Sequence, residues 1–303
     1  MTEAPADPNN ASFAVVVCTR NRADHLARLL AALDAQTEGD FPLVVVDQSD
    51  ETLPHLTERE RAGAIRVLRD AAPGLSRARN RAWRELSTPW VVYLDDDCLP
   101  PPDWAGAMRR ALAANPEAAF LTGDVGENGQ ENTEGLVVTT FRVERRTVRS
   151  GRWTWPWAIG FGVCMAIRRD WIERLDGWDE RLGAGVPDLP ASEDMDFNYR
   201  LLRAGGVAVA VPEVRVLHDQ WRTPGELPAL HRGYATGWAG FASKQLRTGD
   251  VVGGLWLWGW GAFGCARMFA SALRRRSRLR LKVARALLEG HLMGTARGLR
   301  RRW

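Results

Sequence analysis

Residues 90–104 read Trp90-Val-Val-Tyr-Leu-Asp-Asp-Asp-Cys-Leu-Pro-Pro-Pro-Asp-Trp104. The run from Trp90 to Leu94 has no polar alternation, the pattern of a strand covered on both faces. Pro100 to Pro102 cannot continue a strand but can open a helix, so Asp95, Asp96 and Asp97 stand at a strand's C-terminal end. In open α/β sheets ligands bind at that edge. Three adjacent carboxylates repel one another and stay ionised only beside a cation or in solvent. The stretch reads either as a solvated acidic turn or, because it caps a buried strand, as a divalent-metal site.

Upstream, Phe13-Ala-Val-Val-Val-Cys18 and Leu43-Val-Val-Val-Asp47 are further buried strands, and Ile65 to Leu68 is a shorter one. A helix with Leu26, Leu29, Leu30 and Leu33 on one face follows the first strand. An Arg-rich helix from Leu75 to Leu86 follows the break at Pro73-Gly74. Within it Arg77, Arg81 and Arg84 share a face by spacing, while Arg79 points elsewhere. This β-α-β order predicts an α/β fold with a Rossmann-like, mainly parallel sheet flanked by helices. No Gly-x-Gly-x-x-Gly follows the first strand, which disfavours a dinucleotide-binding or P-loop enzyme. Downstream, the pattern predicts strands at Ala118–Gly123, Ile159–Ile167, Val207–Val211 and Val214–Leu217. It also predicts a helix from Ser192, a good N-cap, to Ala204.

The 303 residues suit one large α/β domain with an extension. Cys18, Cys98, Cys164 and Cys265 form no Cys-x-x-Cys pair, which argues against a zinc ribbon or disulfide framework and fits a reducing compartment. Met1 to Ala11 is polar, reads as disordered, and does not resemble a secretory signal, so a cytoplasmic location is expected. The net charge of +4 is segregated. Of 41 basic and 37 acidic residues, positions 267–303 hold twelve and one, leaving 29 against 36 for the rest. The basic excess belongs to the tail, so no nucleic-acid partner is read from it.

Four separated motifs resemble glycosyltransferase family 2, the inverting enzymes with a GT-A fold. They are Val-Cys-Thr-Arg-Asn-Arg ending strand one, Val-Val-Asp-Gln-Ser-Asp ending strand two, Leu-Asp-Asp-Asp, and Ser-Glu-Asp-Met-Asp-Phe-Asn-Tyr-Arg. The resemblance implies a GT-A catalytic domain over residues 12–220, with a nucleotide-sugar half (12–100) and an acceptor half (101–220). It implies that Thr19, Arg20, Asn21, Asp47, Arg79, Asn80, Asp95 and Asp96 lie on the donor side. Asp95 and Asp97, with His218, would hold Mn²⁺ or Mg²⁺ across the donor diphosphate. Asp194 would be the general base, and Glu193, Trp178 and Trp157 would face the acceptor. The acceptor class is a hydroxyl of a glycan, a lipid-linked or a small molecule. The competing readings are a nucleotidyltransferase of related fold and an inactive sugar-binding protein.

Trp153, Trp155 and Trp157 alternate, which places three of the fourteen tryptophans on one face of an extended segment. From residue 221 the chain reads as a helical, Trp- and Arg-rich extension. Val251 to Ala266 is uncharged but short for a spanning helix, and the basic stretch after it suits a peripheral contact with an anionic membrane. Packing on the catalytic domain or a contact with a second subunit is the alternative reading of the same pattern.

Overall fold

The computed structural model describes residues 11–129, 134, 136, 140–219 and 221–303. The segment read as a disordered N-terminus lies outside the described residues except for Ala11. Strands β1 (Phe13–Thr19), β2 (Leu43–Asp47), β3 (Arg66–Arg69) and β4 (Trp90–Asp95) form a parallel block in the order β3-β2-β1-β4. Helices α1 (Ala23–Asp34), α2 (Pro54–Arg61) and α3 (Leu75–Arg84) make the crossovers. Every residue from Phe13 to Val17 is buried, as the unalternated Val runs require of strands covered on both faces.

Beyond β4 the sheet becomes mixed. β8 (Cys164–Arg168) runs antiparallel between β4 and β6 (Phe120–Asn128), and β6 is parallel to β9 (Ala208–Asp219). The two-residue β5 (Cys98–Leu99) and β7 (Thr147–Arg149) pair antiparallel with opposite ends of β9. The two late strands expected around Pro212 are one strand, β9, with an irregular register opposite Gly123 and Asp124. A side chain at Gly123 would stand 1.8 Å from the Val214 carbonyl, so only glycine lets the two strands close there. The strand expected at Ile159–Ile167 begins only at Cys164; Pro156–Ile159 is a 3₁₀ turn. Helices α4 (Trp104–Ala114), α5 (Arg169–Arg174) and α6 (Glu193–Arg203) complete the body.

Three long helices follow: α7 (Leu227–Arg247), α8 (Val251–Arg275) and α9 (Arg278–Arg300). Gly290, Gly294 and Gly298 recur every fourth residue on α9. A Cβ at Gly290 or Gly294 would lie 2.3 or 2.1 Å from the Arg232 or Thr236 carbonyl, so the α7 and α9 backbones are in near contact. α7 is fastened to the body by Lys244, whose ammonium lies 2.7 Å from Asp196 on α6 and 2.8 Å from Asp179. The extension is thus packed on the catalytic body. No helix among the described residues is long and apolar enough to cross a membrane.

Candidate active site

A cavity of about 940 Å³ opens at the C-terminal edge of the parallel block. Thr19, Arg20, Arg79, Asp95, Asp96, Asp97, Glu193, Asp194, His218 and Trp157 all line it. The acid triplet divides by partner. The Thr19 hydroxyl donates to Asp96 at 2.7 Å, and Arg22 donates to Asp96 at 2.6 Å and to Asp97 at 3.1 Å. Pairing of β5 with β9 sets Cys98 opposite His218 and brings the imidazole Nε2 to 3.2 Å from Asp97. Trp221 donates its indole N–H to Asp97 at 3.0 Å, and Arg22 stacks over its ring. Arg79 lies 3.6 Å from Asp95 and 3.1 Å from Glu193, joining the two acidic motifs.

Charge balance within the triplet is uneven. Burial pushes Asp95 up to about 6 against the pull of Arg79. Burial also acts to raise Asp97, but the hydrogen bond and charge of His218, with Arg22 and Trp221, outweigh it and hold the carboxyl well below its usual range. Ligand atoms of Asp95, Asp97 and His218 all lie within 4.8 Å of one another. Two carboxylates and one imidazole fit a hard divalent cation, and the imidazole favours Mn²⁺ over Mg²⁺. Asp95, raised by burial, is the group such a cation would relieve.

Across the cavity, the Asp194 carboxylate accepts from the backbone N–H of Gly162 at 3.0 Å and of Met195 at 2.8 Å. Ser192 does not act as the expected N-cap. It sits left-handed (φ 73°) and makes no capping hydrogen bond, and Ser192, Glu193 and Asp194 all line the cavity. Glu193 is buried against Arg79, and burial, with Asp194 beside it, pushes its carboxyl up to about 7. Cys18 lines the cavity, but burial raises its thiol to about 12, so it is no nucleophile near neutral pH.

Four of the expected residues lie off the cavity lining. Trp178 is 2% exposed, sandwiched between Tyr93 and Phe197, and absent from the cavity wall. Asn80 is equally buried; it donates to the Trp178 carbonyl and accepts from its N–H, which pins that loop, and it does not line the cavity. Asp47 lies outside the lining and accepts from Ser49 N–H and Arg69. Asn21 ties the β1 loop to Ser49 and Asp50 and likewise does not line the cavity. The Trp153–Trp157 segment is not an extended ladder. Trp155 stacks on Trp256 of α8 at 3.7 Å and on Trp157 at 4.7 Å, so these rings cement α8 to the body. Arg22 and Trp221 were missed. The first stands in the Thr-Arg-Asn-Arg motif, and the second follows His218 by three residues.

The model of the family described as glycosyl transferase family 2 matches residues 14–176, more than half of the chain. The chain belongs to glycosyltransferase family 2. This glycosyltransferase is 25% identical over 312 residues to the N-acetylglucosaminyl-diphospho-decaprenol L-rhamnosyltransferase of Mycobacterium tuberculosis, covering 89% of this chain and 96% of the relative. Among solved structures it resembles the mannosyltransferase PcManGT of Pyrobaculum calidifontis in complex with GDP-Man and Mn²⁺. That match has TM-score 0.62 and 19% identity, and covers 96% of this chain and 89% of that one. It also resembles S. aureus TarS 1–349 in complex with UDP-GlcNAc, with TM-score 0.53, 17% identity, 75% of this chain and 66% of that one. These likenesses establish the GT-A fold for the transferase.

Proposed function

We propose that this glycosyltransferase moves a sugar, with inversion, from a nucleotide-diphospho-sugar to an acceptor hydroxyl. The observation that carries the reading is one cavity with two acidic walls: Asp95–Asp97–His218 at the sheet edge and Asp194 at the α6 start. A divalent cation held by Asp95, Asp97 and His218 would supply positive charge to the donor diphosphate as the leaving group departs. Arg22 fixes the orientation of Asp96 and Asp97, and Arg79 fixes that of Asp95. Asp194, oriented by two backbone N–H groups, takes the proton of the acceptor hydroxyl as its oxygen attacks the anomeric carbon. An intact acid on the acceptor side is unnecessary for a nucleotidyltransferase and for an inactive sugar-binding protein, which disfavours both.

The solved neighbours hold GDP-Man with Mn²⁺ and UDP-GlcNAc, which supports a nucleotide-sugar donor and a metal. The mycobacterial relative is named for an acceptor on a decaprenyl diphosphate, which supports the lipid-linked class over a free glycan or small molecule. In this reading the protein works at the cytoplasmic face of a membrane, held peripherally. Residues 12–220 form the catalytic domain and 221–303 the helical extension. A panel of nucleotide-sugars screened by thermal shift with Mn²⁺ tests the donor side, since binding stabilises the native state. One compound should raise Tm only with metal, with the shift lost in Asp97→Ala and kept in Asp194→Asn. Transfer by Asp194→Asn at the wild-type rate, or no metal-dependent shift with any donor, contradicts the reading.

A further inference from the structure

The cavity does not end at the acidic walls. It continues between the three C-terminal helices, where α7, α8 and α9 contribute Leu230, His231, Tyr234, Trp260, Arg267 and His291 to its lining. The chemistry there is opposite to that of the sheet edge. α7 and α8 contain no Asp or Glu, and α9 contains only Glu289, which faces Arg232 at 3.9 Å and does not line the cavity. Arg267 has no carboxylate partner among the described residues. The Nε2 atoms of His231 and His291 are buried without a hydrogen-bond partner, and His291 is only 3% exposed. A buried polar nitrogen left unpaired is destabilising, and a ligand oxygen would relieve it. Burial lowers both imidazoles, so Arg267 is the positive charge here and the histidines offer hydrogen-bonding nitrogens, a combination suited to an anion on helices that bring no acid to the cavity.

Trp238, Met268 and Leu287 add apolar lining to the cavity, Met268 and Leu287 packing in one cluster, and a Cβ at Gly264 would meet open space. On its outer face α8 exposes Val252, Leu255, Phe263 and Leu273 at helical spacing, and α9 exposes Leu288, Leu292 and Leu299. Arg274, Arg275 and Arg276 stand at the end of the α8 stripe. An apolar stripe ending in arginines complements an anionic lipid surface.

Resting on the glycosyltransferase reading above, we infer that this helical end of the cavity is the acceptor subsite, and that it takes the phosphate or diphosphate head of a lipid. Arg267, His231 and His291 bind the phosphate oxygens, and the Trp238, Met268 and Leu287 wall takes the first part of the hydrocarbon chain. The sugar or hydroxyl carried by that head is thereby presented to Asp194 in the same cavity.

The test is a titration of the full chain with farnesyl diphosphate, followed by tryptophan fluorescence in EDTA so that no metal recruits the probe to the donor side. Inorganic pyrophosphate and farnesol run in parallel. Farnesyl diphosphate should bind at least about tenfold more tightly than either fragment, a difference of about 1.4 kcal/mol. Arg267→Ala, at an exposed position, should weaken it about tenfold, and His291→Gln should weaken it in the same direction. Equal binding of farnesol indicates apolar adsorption only and overturns the head-group site. Equal binding of pyrophosphate overturns the lipid part. No binding, or unchanged affinity in Arg267→Ala, overturns the inference altogether. The nucleotide-sugar thermal shift on the same preparations separates the two readings: if it persists while farnesyl diphosphate fails, only the acceptor subsite is wrong.

Discussion

Arg22 carries the interactions that a metal-site reading of the triplet leaves out. Its guanidinium bonds both Asp96 and Asp97 and stacks on Trp221, holding two like charges together before any cation arrives. Arg22→Ala should therefore raise the Mn²⁺ concentration needed for donor binding by about tenfold or more, given 1.5–3 kcal/mol for a charge-assisted bond. A thermal-shift titration of Mn²⁺ at fixed donor checks it, and an unchanged midpoint contradicts it. Glu193 makes a separate prediction. Its folded-state value of about 7 is raised above the ordinary 4.5, so the folded protein holds a proton that the unfolded chain releases first. Stability is lost as pH rises from about 4.5 to about 7, by about 1–3 kcal/mol. Glu193→Gln should abolish that slope. Urea titrations of both proteins from pH 4.5 to 8.5 would show wild type losing ground to the variant across this window and running parallel above it. At this scale the motifs named most of the cavity residues, but Asn80 and Trp178 show the limit. A polar or aromatic side chain in a loop reads the same whether it faces a ligand or the core.

At the scale of elements, the four parallel strands were legible because unalternated Val and Leu runs bounded by Gly, Pro and acids act over a few residues. The order of the late strands was not. β9 was read as two pieces because Pro212 interrupts it, yet a bulge opposite Gly123 keeps one strand continuous. The tail was legible as helical, but its seam was hidden, since Gly290, Gly294 and Gly298 read as helix-weakening residues until α7 is laid against them. Gly294→Leu should force α7 and α9 apart and cost about 1–3 kcal/mol, measured by urea denaturation; a neutral result would mean the helices are not in backbone contact. Lys244→Met leaves Asp196, 0% exposed, without its ammonium. Arg200 still pairs with Asp196 at 2.8 Å, so the expected loss is about 1–3 kcal/mol, read as a lower Tm.

For the whole molecule, the extension and the catalytic body form one working unit. Lys244 bridges them, the Trp155–Trp256 stack seals them, and the cavity is walled by both. A chain ending at residue 226 should lose its cooperative melting transition, whereas an independent body would keep it. The outer stripes predict co-sedimentation with phosphatidylglycerol vesicles that weakens as salt rises and falls in Leu255→Asp/Phe263→Asp. Equal pelleting with neutral vesicles or by the double variant would remove the membrane from the account. Local pattern sufficed for the strand ends and the acid triplet, because burial alternation and chain-breaking residues are properties of short windows; the family and the role of the α6 acids came from the resemblance of the four motifs. The meeting of Asp97 with Arg22 and Trp221, and the joining of Asp95 to Glu193 through Arg79, required the folded chain. Those contacts depend on which strand pairs with β9 and which helix face turns inward. That choice is made by packing energy spread over many distant side chains, and no single window of sequence contains it.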